Sequence, residues 1–114
     1  MTPNDELFRA YIEIWSDGTV DRLHELLAPA YAGHMRGNVS EERDAEALGD
    51  SIVDFRRRFP GVRFTVAEQI AAGDRVATRL SAVRGDEELA VGMNFSRWQD
   101  GRLAEEWALW ERIA

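Results

Sequence analysis

Apolar residues recur every three or four positions in the first part of the chain, which is the spacing of an amphipathic helix. Leu7, Tyr11 and Trp15 form one such stripe, and Asp17-Gly18 follows it as a stop signal. We therefore predict a first helix that ends at this aspartate–glycine pair.

Two further helices are predicted before the pattern changes. The second is short, starts at Val20 and is bounded by Pro29. The third is expected to begin near Ser40 and to end at a Phe-Pro-Gly sequence. Its apolar stripe consists of residues at helical intervals, namely Leu48, Ile52, Phe55 and Phe59.

The apolar spacing shortens to two residues in the second half of the chain, as in strands with one buried face. Turn signals separate the alternating runs at Gly73-Asp74, at 84–86 and at 99–101. The closing segment also fits a helical spacing, but its alternation favours a strand. Helices followed by antiparallel strands predict an α+β fold with helices laid on one curved sheet.

The closing hairpin is expected to turn through a three-residue loop, 99–101, with glycine at the left-handed position. In that register Met93 pairs with Trp107, and Arg97 is a diagonal neighbour of Glu105. We therefore expect an ion pair between Arg97 and Glu105.

This register also decides which residues of the last strand face inward. It assigns the odd-numbered residues to the apolar face, namely Glu105, Trp107, Leu109 and Glu111. Trp98 and Trp110 then lie on the outer face, where large aromatic side chains indicate a covered surface. We expect a homodimer through that face.

Composition excludes several classes of function. The chain has 114 residues, which predicts one domain, and its net charge of −7 disfavours contact with nucleic-acid phosphates. Cysteine is absent, which rules out disulfides and thiolate sites. No apolar run approaches the ~20 residues of a membrane span, and the polar start MTPNDE is unlike a signal peptide. We expect a cytoplasmic protein that binds neither nucleic acid nor membrane.

The order of several motifs resembles a known family. These motifs are LLAPAYAGH, RRRFPGVRFTV, AAGDRVATRL and DGRLAEEW. They resemble the SnoaL-like polyketide cyclases of the nuclear-transport-factor-two-like superfamily, over nearly the whole of residues 1–114. The resemblance implies a cone-shaped, cystatin-like fold in which a curved antiparallel sheet wraps around N-terminal helices and encloses an apolar pocket.

The resemblance also implies catalytic positions. In the family's cyclases a histidine and an aspartate on the last two strands act on the substrate, and here Arg97 and Glu111 match them. Glutamate can remain a general base, whereas a guanidinium cannot shuttle a proton but can stabilise developing negative charge. His34 matches a position where a histidine points into the cavity. The hairpin at Arg84–Leu89 is shorter than usual, which implies a shortened pocket wall.

Large aromatic residues supply the candidate ligand contacts. Tyr11, Trp15, Phe55 and Trp107 have the spacing of core residues, and the resemblance implies that some of them also line the pocket. Glu105, paired with Arg97, is a candidate anchor for a polar group of the ligand. One histidine does not make a metal site, so we expect no metal and no organic cofactor.

Two classes of function fit these residues. The first is a cofactor-free cyclase or isomerase that abstracts a proton from a small apolar, cyclic or polyketide-like molecule. The second is a non-catalytic ligand-binding or dimerisation module of the same fold. A third arrangement, an arginine between acids, resembles the epoxide hydrolases of the superfamily.

Overall fold

The protein consists of helices packed on one face of a curved five-stranded sheet; the computed structural model describes residues 2–35 and 42–114. A 3-10 turn, Val20–Arg22, precedes the second helix. The remaining elements, in chain order, are α1 (Asn4–Asp17), α2 (Leu23–Leu26), β1 (Leu27–His34), α3 (Ala45–Arg58), β2 (Arg63–Ala72), β3 (Arg75–Arg84), β4 (Glu87–Gln99) and β5 (Arg102–Arg112).

The first two helices follow the predicted order, but the second differs from the prediction at both ends. Its α-helical part begins at Leu23 rather than at Val20, after the 3-10 turn Val20–Arg22. Helix α1 ends at Asp17, and Gly18 takes the left-handed conformation, with φ of 79°, that closes many helices. The second helix stops earlier than predicted because Leu27 already belongs to β1.

Helix α3 starts later than the sequence pattern indicates. The predicted start at Ser40 lies outside the described residues, and Glu42 forms an isolated bridge with Gly33 instead of a helical turn. The helix begins at Ala45, because the Asp44 side chain accepts a 2.8 Å hydrogen bond from the backbone N–H of Ala47 and so caps the first turn.

The strand order places the last strand in the interior of the sheet. The order is β1-β5-β4-β3-β2, with β1 parallel to β5 and the other neighbours antiparallel. β5 therefore lies between β1 and β4, where its inward side chains can meet groups from both. This topology confirms the predicted α+β fold.

The turn between β4 and β5 differs from the predicted one. Asp100 and Gly101 both have positive φ, 52° and 76°, as in a two-residue type I′ turn, so Gln99 pairs with Arg102. The register then shifts at a bulge that accommodates Ala104. The predicted three-residue loop is therefore wrong.

The bulge reverses the predicted faces of the closing hairpin. Leu103 and Ala104 are both buried, and from there the even-numbered residues of β5 point inward. On β4 the inward residues are likewise even-numbered, and Trp98 lies in the core at 3% exposure. Trp110 shares the inner face with Ala104, so the placement of the two tryptophans on the outer face is wrong.

The core fills the space between the helices and the inner face of the sheet. Its residues come from every layer and include large side chains of α1, β1 and α3, such as Phe8, Ile14, Tyr31, Leu48 and Ile52. Burial of such side chains contributes about 1.5–3 kcal/mol each. The helices are therefore held against the sheet by one continuous apolar cluster.

Two glycines should respond in opposite ways to alanine. A Cβ at Gly92 would lie 2.6 Å from the ring of Trp110, its direct cross-strand partner, whereas a Cβ at Gly49 in α3 would make ordinary 3.7 Å contacts. Gly92→Ala should lower the free energy of unfolding by about 1–3 kcal/mol through overpacking. Gly49→Ala should raise it by about 0.5–1 kcal/mol through helix propensity. Urea denaturation measures both, and equal effects of the same sign would contradict this packing.

Candidate active site

A cavity of about 380 Å³ opens between the helices and the inner face of the sheet. Most of its surface is apolar, and the polar groups in its lining include the amide of Asn94, the carboxyl group of Glu106 and the guanidinium of Arg112. Its walls include aromatic side chains in edge-to-face or tilted contact, namely Trp15, Phe55, Phe64 and Trp110. A cavity with these walls suits a flat apolar molecule.

Glu106 lies at the centre of the polar groups. Its side chain is 1% exposed and accepts three hydrogen bonds. The hydroxyls of Tyr11 and Tyr31 both donate to Oε2, at 2.5 and 2.6 Å. The Nδ2 group of Asn94 donates to Oε1 at 2.8 Å. The carboxyl group thus joins α1, β1, β4 and β5.

Each tyrosine is itself held in place. Trp15, one helical turn after Tyr11, donates its indole N–H to the Tyr11 hydroxyl at 2.9 Å. The hydroxyl of Tyr31 occupies the space beside Gly33, where a Cβ would lie 2.3 Å away. Since Gly33 is the cross-strand partner of Glu106, only glycine leaves room for the tyrosine to reach the carboxylate.

Burial controls the protonation of this cluster. Desolvation raises the pKa of Glu106 above its ordinary value, and the hydrogen bonds from Tyr11, Tyr31 and Asn94 offset part of that rise. Burial, followed by the adjacent carboxylate, also raises the pKa of both tyrosines well above the ordinary value. The tyrosines therefore remain protonated donors near neutral pH.

Asn94 is only partly satisfied. Its side chain is 6% exposed, and Oδ1 has no hydrogen-bond partner among the described residues. A buried acceptor without a partner typically costs about 1–3 kcal/mol. Asn94 thus carries a cost that its single bond to Glu106 does not remove.

A second polar cluster lies on the outer face of the sheet. Oε2 of Glu105 lies 2.8 Å from Nε2 of His34, and Oε1 lies 3.3 Å from Nη2 of Arg97. The imidazole of His34 also stacks on Trp107, with the ring centroids 5.3 Å apart. The hydrogen bond with His34 holds the pKa of Glu105 below its ordinary value, and the one from Arg97 adds to this effect.

The predicted site residues therefore separate into two groups. Tyr11, Trp15 and Phe55 line the cavity. The residues that the structure places on the outer face are His34, Arg97, Glu105, Trp107 and Glu111. The predicted contact between Arg97 and Glu105 is confirmed, although the two residues are direct rather than diagonal partners.

Glu111 and His34 do not share an enclosed cavity. Glu111 is exposed near the end of β5 and pairs with Val91, whose side chain also faces outward. The predicted inward placement of Glu111, Arg97 and His34 is wrong because it rested on the register that the bulge shifts. The carboxylate that does face the cavity is that of Glu106, which the sequence pattern did not predict.

One signal in the sequence bears on this error. The motif DGRLAEEW contains two adjacent glutamates, and in a strand adjacent side chains point to opposite faces. One of Glu105 and Glu106 must therefore point inward. The bulge decides which of the two points inward. The sequence spacing of Tyr31 and Asn94 does not predict that they bind Glu106.

The described ranges contain neither a metal-binding cluster nor a membrane span. No group of three or more His, Asp or Glu residues within residues 2–35 and 42–114 could hold a metal ion. No helix in these ranges is long and apolar enough to cross a bilayer.

The fold and cavity define the class of protein. Helices against a five-stranded, open, curved sheet form the nuclear-transport-factor-two-like fold, as expected from the motifs. The sequence profile of the SnoaL-like polyketide cyclases matches residues 5–114. The chain belongs to that family.

Solved structures share this fold. Wild-type IdmH of Streptomyces antibioticus, described as a candidate polyketide cyclase, is 25% identical; the alignment covers 96% of this chain and 93% of that chain, with a TM-score of 0.82. A SnoaL-like polyketide cyclase from Agrobacterium tumefaciens is 14% identical, with 97% and 93% covered and a TM-score of 0.78. A candidate isomerase of the family from the same species is 17% identical, with 93% and 95% covered and a TM-score of 0.79. No curated protein sequence matches the chain.

The raised pKa of Glu106 predicts a pH-dependent stability. Folding favours the protonated form of Glu106. Its contribution to the free energy of unfolding is therefore fully present below the pKa of the unfolded state, about 4.3, and is lost as pH rises through the higher pKa of the folded state. The stability of wild type relative to Glu106→Gln should therefore fall as pH rises above about 4.3. Urea denaturation across this range measures the difference.

Glu105→Gln is the matched control for this measurement. The folded pKa of Glu105 is lowered, so its contribution is present above the unfolded pKa and is lost as pH falls. The two difference curves should have slopes of opposite sign. If the free energies of unfolding of wild type and Glu106→Gln change in parallel with pH, burial does not raise the pKa of Glu106.

Proposed function

We propose that the protein is a cofactor-free enzyme of cyclase or isomerase type, in which Glu106 transfers a proton to and from a small apolar cyclic or polyketide-like molecule. The observation that carries the proposal is a buried carboxylate in the wall of a mostly apolar cavity. Family membership favours the same chemistry. This proposal moves the proton-transfer role from the exposed Glu111 to Glu106.

The environment of Glu106 suits a general base. A desolvated carboxylate is more basic than one in water, which brings its pKa closer to neutral pH. A carboxylate has about four lone-pair sites, and the three donors occupy three of them. The described residues supply no fourth donor, so one site is left to receive a proton from the ligand.

The proposed reaction begins next to a carbonyl group of the substrate. The C–H bond breaks, its proton bonds to Glu106, and its electron pair forms an enolate. In an isomerisation the carboxylic acid returns the proton to another carbon. In a cyclisation the enolate carbon adds to a second carbonyl, and Glu106 protonates the resulting alkoxide. Both sequences balance without an external oxidant or reductant.

Glu106→Gln should slow the reaction by about 10²–10⁴-fold, the usual contribution of a general base. The measurement is exchange of the α-protons of 2-tetralone in D₂O, followed by proton NMR. Glu105→Gln and Glu111→Gln, both on the outer face, serve as matched controls and should exchange at the wild-type rate. If Glu106→Gln exchanges protons at the wild-type rate, Glu106 is not the general base. If Glu111→Gln loses exchange, the general base is Glu111, as predicted from the sequence.

A ligand-binding module without catalysis is the second candidate. Glu106 is 1% exposed and accepts three hydrogen bonds, which is also how a purely structural carboxylate is satisfied. In this case 2-tetralone would bind, and wild type and Glu106→Gln would show the same slow exchange. The experiment above therefore separates the two functions.

We also propose a homodimer through the outer face of β4 and β5. Met93 and Leu109 are direct partners there and are 56% and 62% exposed, and Phe95 extends the patch beside Trp107. An exposed apolar sheet face of this kind is typical of a contact surface. A second copy suits it, because an isologous contact brings the same apolar patch from each chain.

Leu109→Glu should convert the dimer to monomer in sedimentation velocity at micromolar concentration, since it buries a charge in each half of the contact. Val53→Glu, at an exposed apolar position of α3, is the control and should leave the dimer intact. A monomeric wild type, or a dimer that survives Leu109→Glu, would exclude this interface.

A further inference from the structure

The two oxygens of the Glu106 carboxylate are not equivalent. Oε2 accepts from both Tyr11 and Tyr31, which fills the two lone-pair sites of that oxygen. Among residues 2–35 and 42–114, Oε1 accepts from Asn94 alone. The one vacant lone-pair site of the carboxylate is therefore on Oε1.

The side chain of Asn94 makes no hydrogen bond other than the one to Glu106 within the described part of the chain. It lies on the inner face of β4, between Thr78 and Ala108 on the neighbouring strands, and its Oδ1 has no partner among the described residues. An amide retained for stability alone is usually satisfied at both ends. The single bond that Asn94 makes is to the oxygen that has a vacant site.

We infer that Asn94 is a positioning residue for proton transfer: its Nδ2 group holds Oε1 of Glu106 in the ionised form and leaves the second lone pair of Oε1 to take the proton of the substrate. This inference rests on the proposed function and adds the reacting atom and the residue that orients it. The hydrogen bonds from Tyr11 and Tyr31 occupy Oε2, so this oxygen does not receive the proton of the substrate. The two tyrosines hold the carboxyl group in place.

The inference makes a specific statement about pH. A donor to the ionised carboxylate favours that form, so removing the donor should raise the pKa of Glu106. The titratable groups that act on the pKa of Glu106 include Tyr11, Tyr31 and Glu42, and the charge of Glu42 acts in the direction of a higher pKa. The guanidinium of Arg112 lines the same cavity. None of these groups is altered by a substitution at Asn94, so the shift reports the lost bond.

The first experiment compares the pH profile of 2-tetralone exchange in wild type and Asn94→Ala. The acid limb of the Asn94→Ala profile should move to higher pH by about one unit, which corresponds to about a tenfold lower fraction of ionised Glu106 on the acid side. The exchange rate of the variant should recover at higher pH. Asn94→Asp, which replaces the donor by a second acid, should move the limb further. Thr78→Val, at the direct partner of Asn94 on β3, is the matched control and should not move it.

A uniform loss of activity at every pH would overturn the inference, because it would show that Asn94 acts through folding rather than through Oε1. An unmoved acid limb would overturn it as well. Failure of the proposed function has a different signature, since Glu106→Gln would then exchange protons as fast as wild type.

The second experiment needs neither turnover nor a variant that folds. The Glu106 side-chain carboxyl carbon and the Asn94 side-chain amide protons of the wild type are titrated together by NMR. Both should change with the same midpoint, because the amide donates to the group that titrates. An Asn94 amide that does not follow the carboxyl midpoint would overturn the inference, whatever the variants do.

Discussion

The fold depends on satisfying one buried carboxyl group. Glu106 cannot remain inside an apolar cavity unless donors replace its lost water, and the donors come from α1, β1 and β4. Removing any of them would leave polar atoms buried without partners, which costs more than the bond itself is worth. The requirement therefore fixes where α1 and β1 lie relative to β5, as well as the chemistry of the cavity.

The position of Glu106 depends in turn on the hairpin between β4 and β5. The type I′ turn pairs Gln99 with Arg102. Without a bulge, the same register would pair Phe95 with Glu106 and place Glu106 on the outer face. The extra residue at Ala104 moves every later pair by one and turns Glu106 inward. A one-residue change of register thus decides which of two adjacent glutamates enters the cavity.

Sequence pattern predicted the parts of the fold that depend on local periodicity. The stripe containing Tyr11 and Trp15 defined α1, and the alternating runs defined the sheet. The inward carboxylate could not be predicted in the same way, because alternation is equally regular on both faces of β5. Trp107 and Leu109 are large and apolar yet face outward, so hydrophobicity favoured the wrong face. Partners distant in the chain, such as Tyr31, decide the outcome.

Glu105 and Glu106 show how the two faces of the sheet change the pKa of the same kind of side chain in opposite directions. Glu105 meets His34 and Arg97, and these partners lower its pKa. Glu106 lies in a desolvated site, where its donors from the described part of the chain are neutral, and its pKa rises. A carboxylate that is paired with a cation has little tendency to take a proton, whereas one held by neutral groups retains it. The cationic partners of Glu105 therefore lie on the outer face, whereas Glu106 on the inner face keeps the raised pKa on which the proposed proton transfer depends.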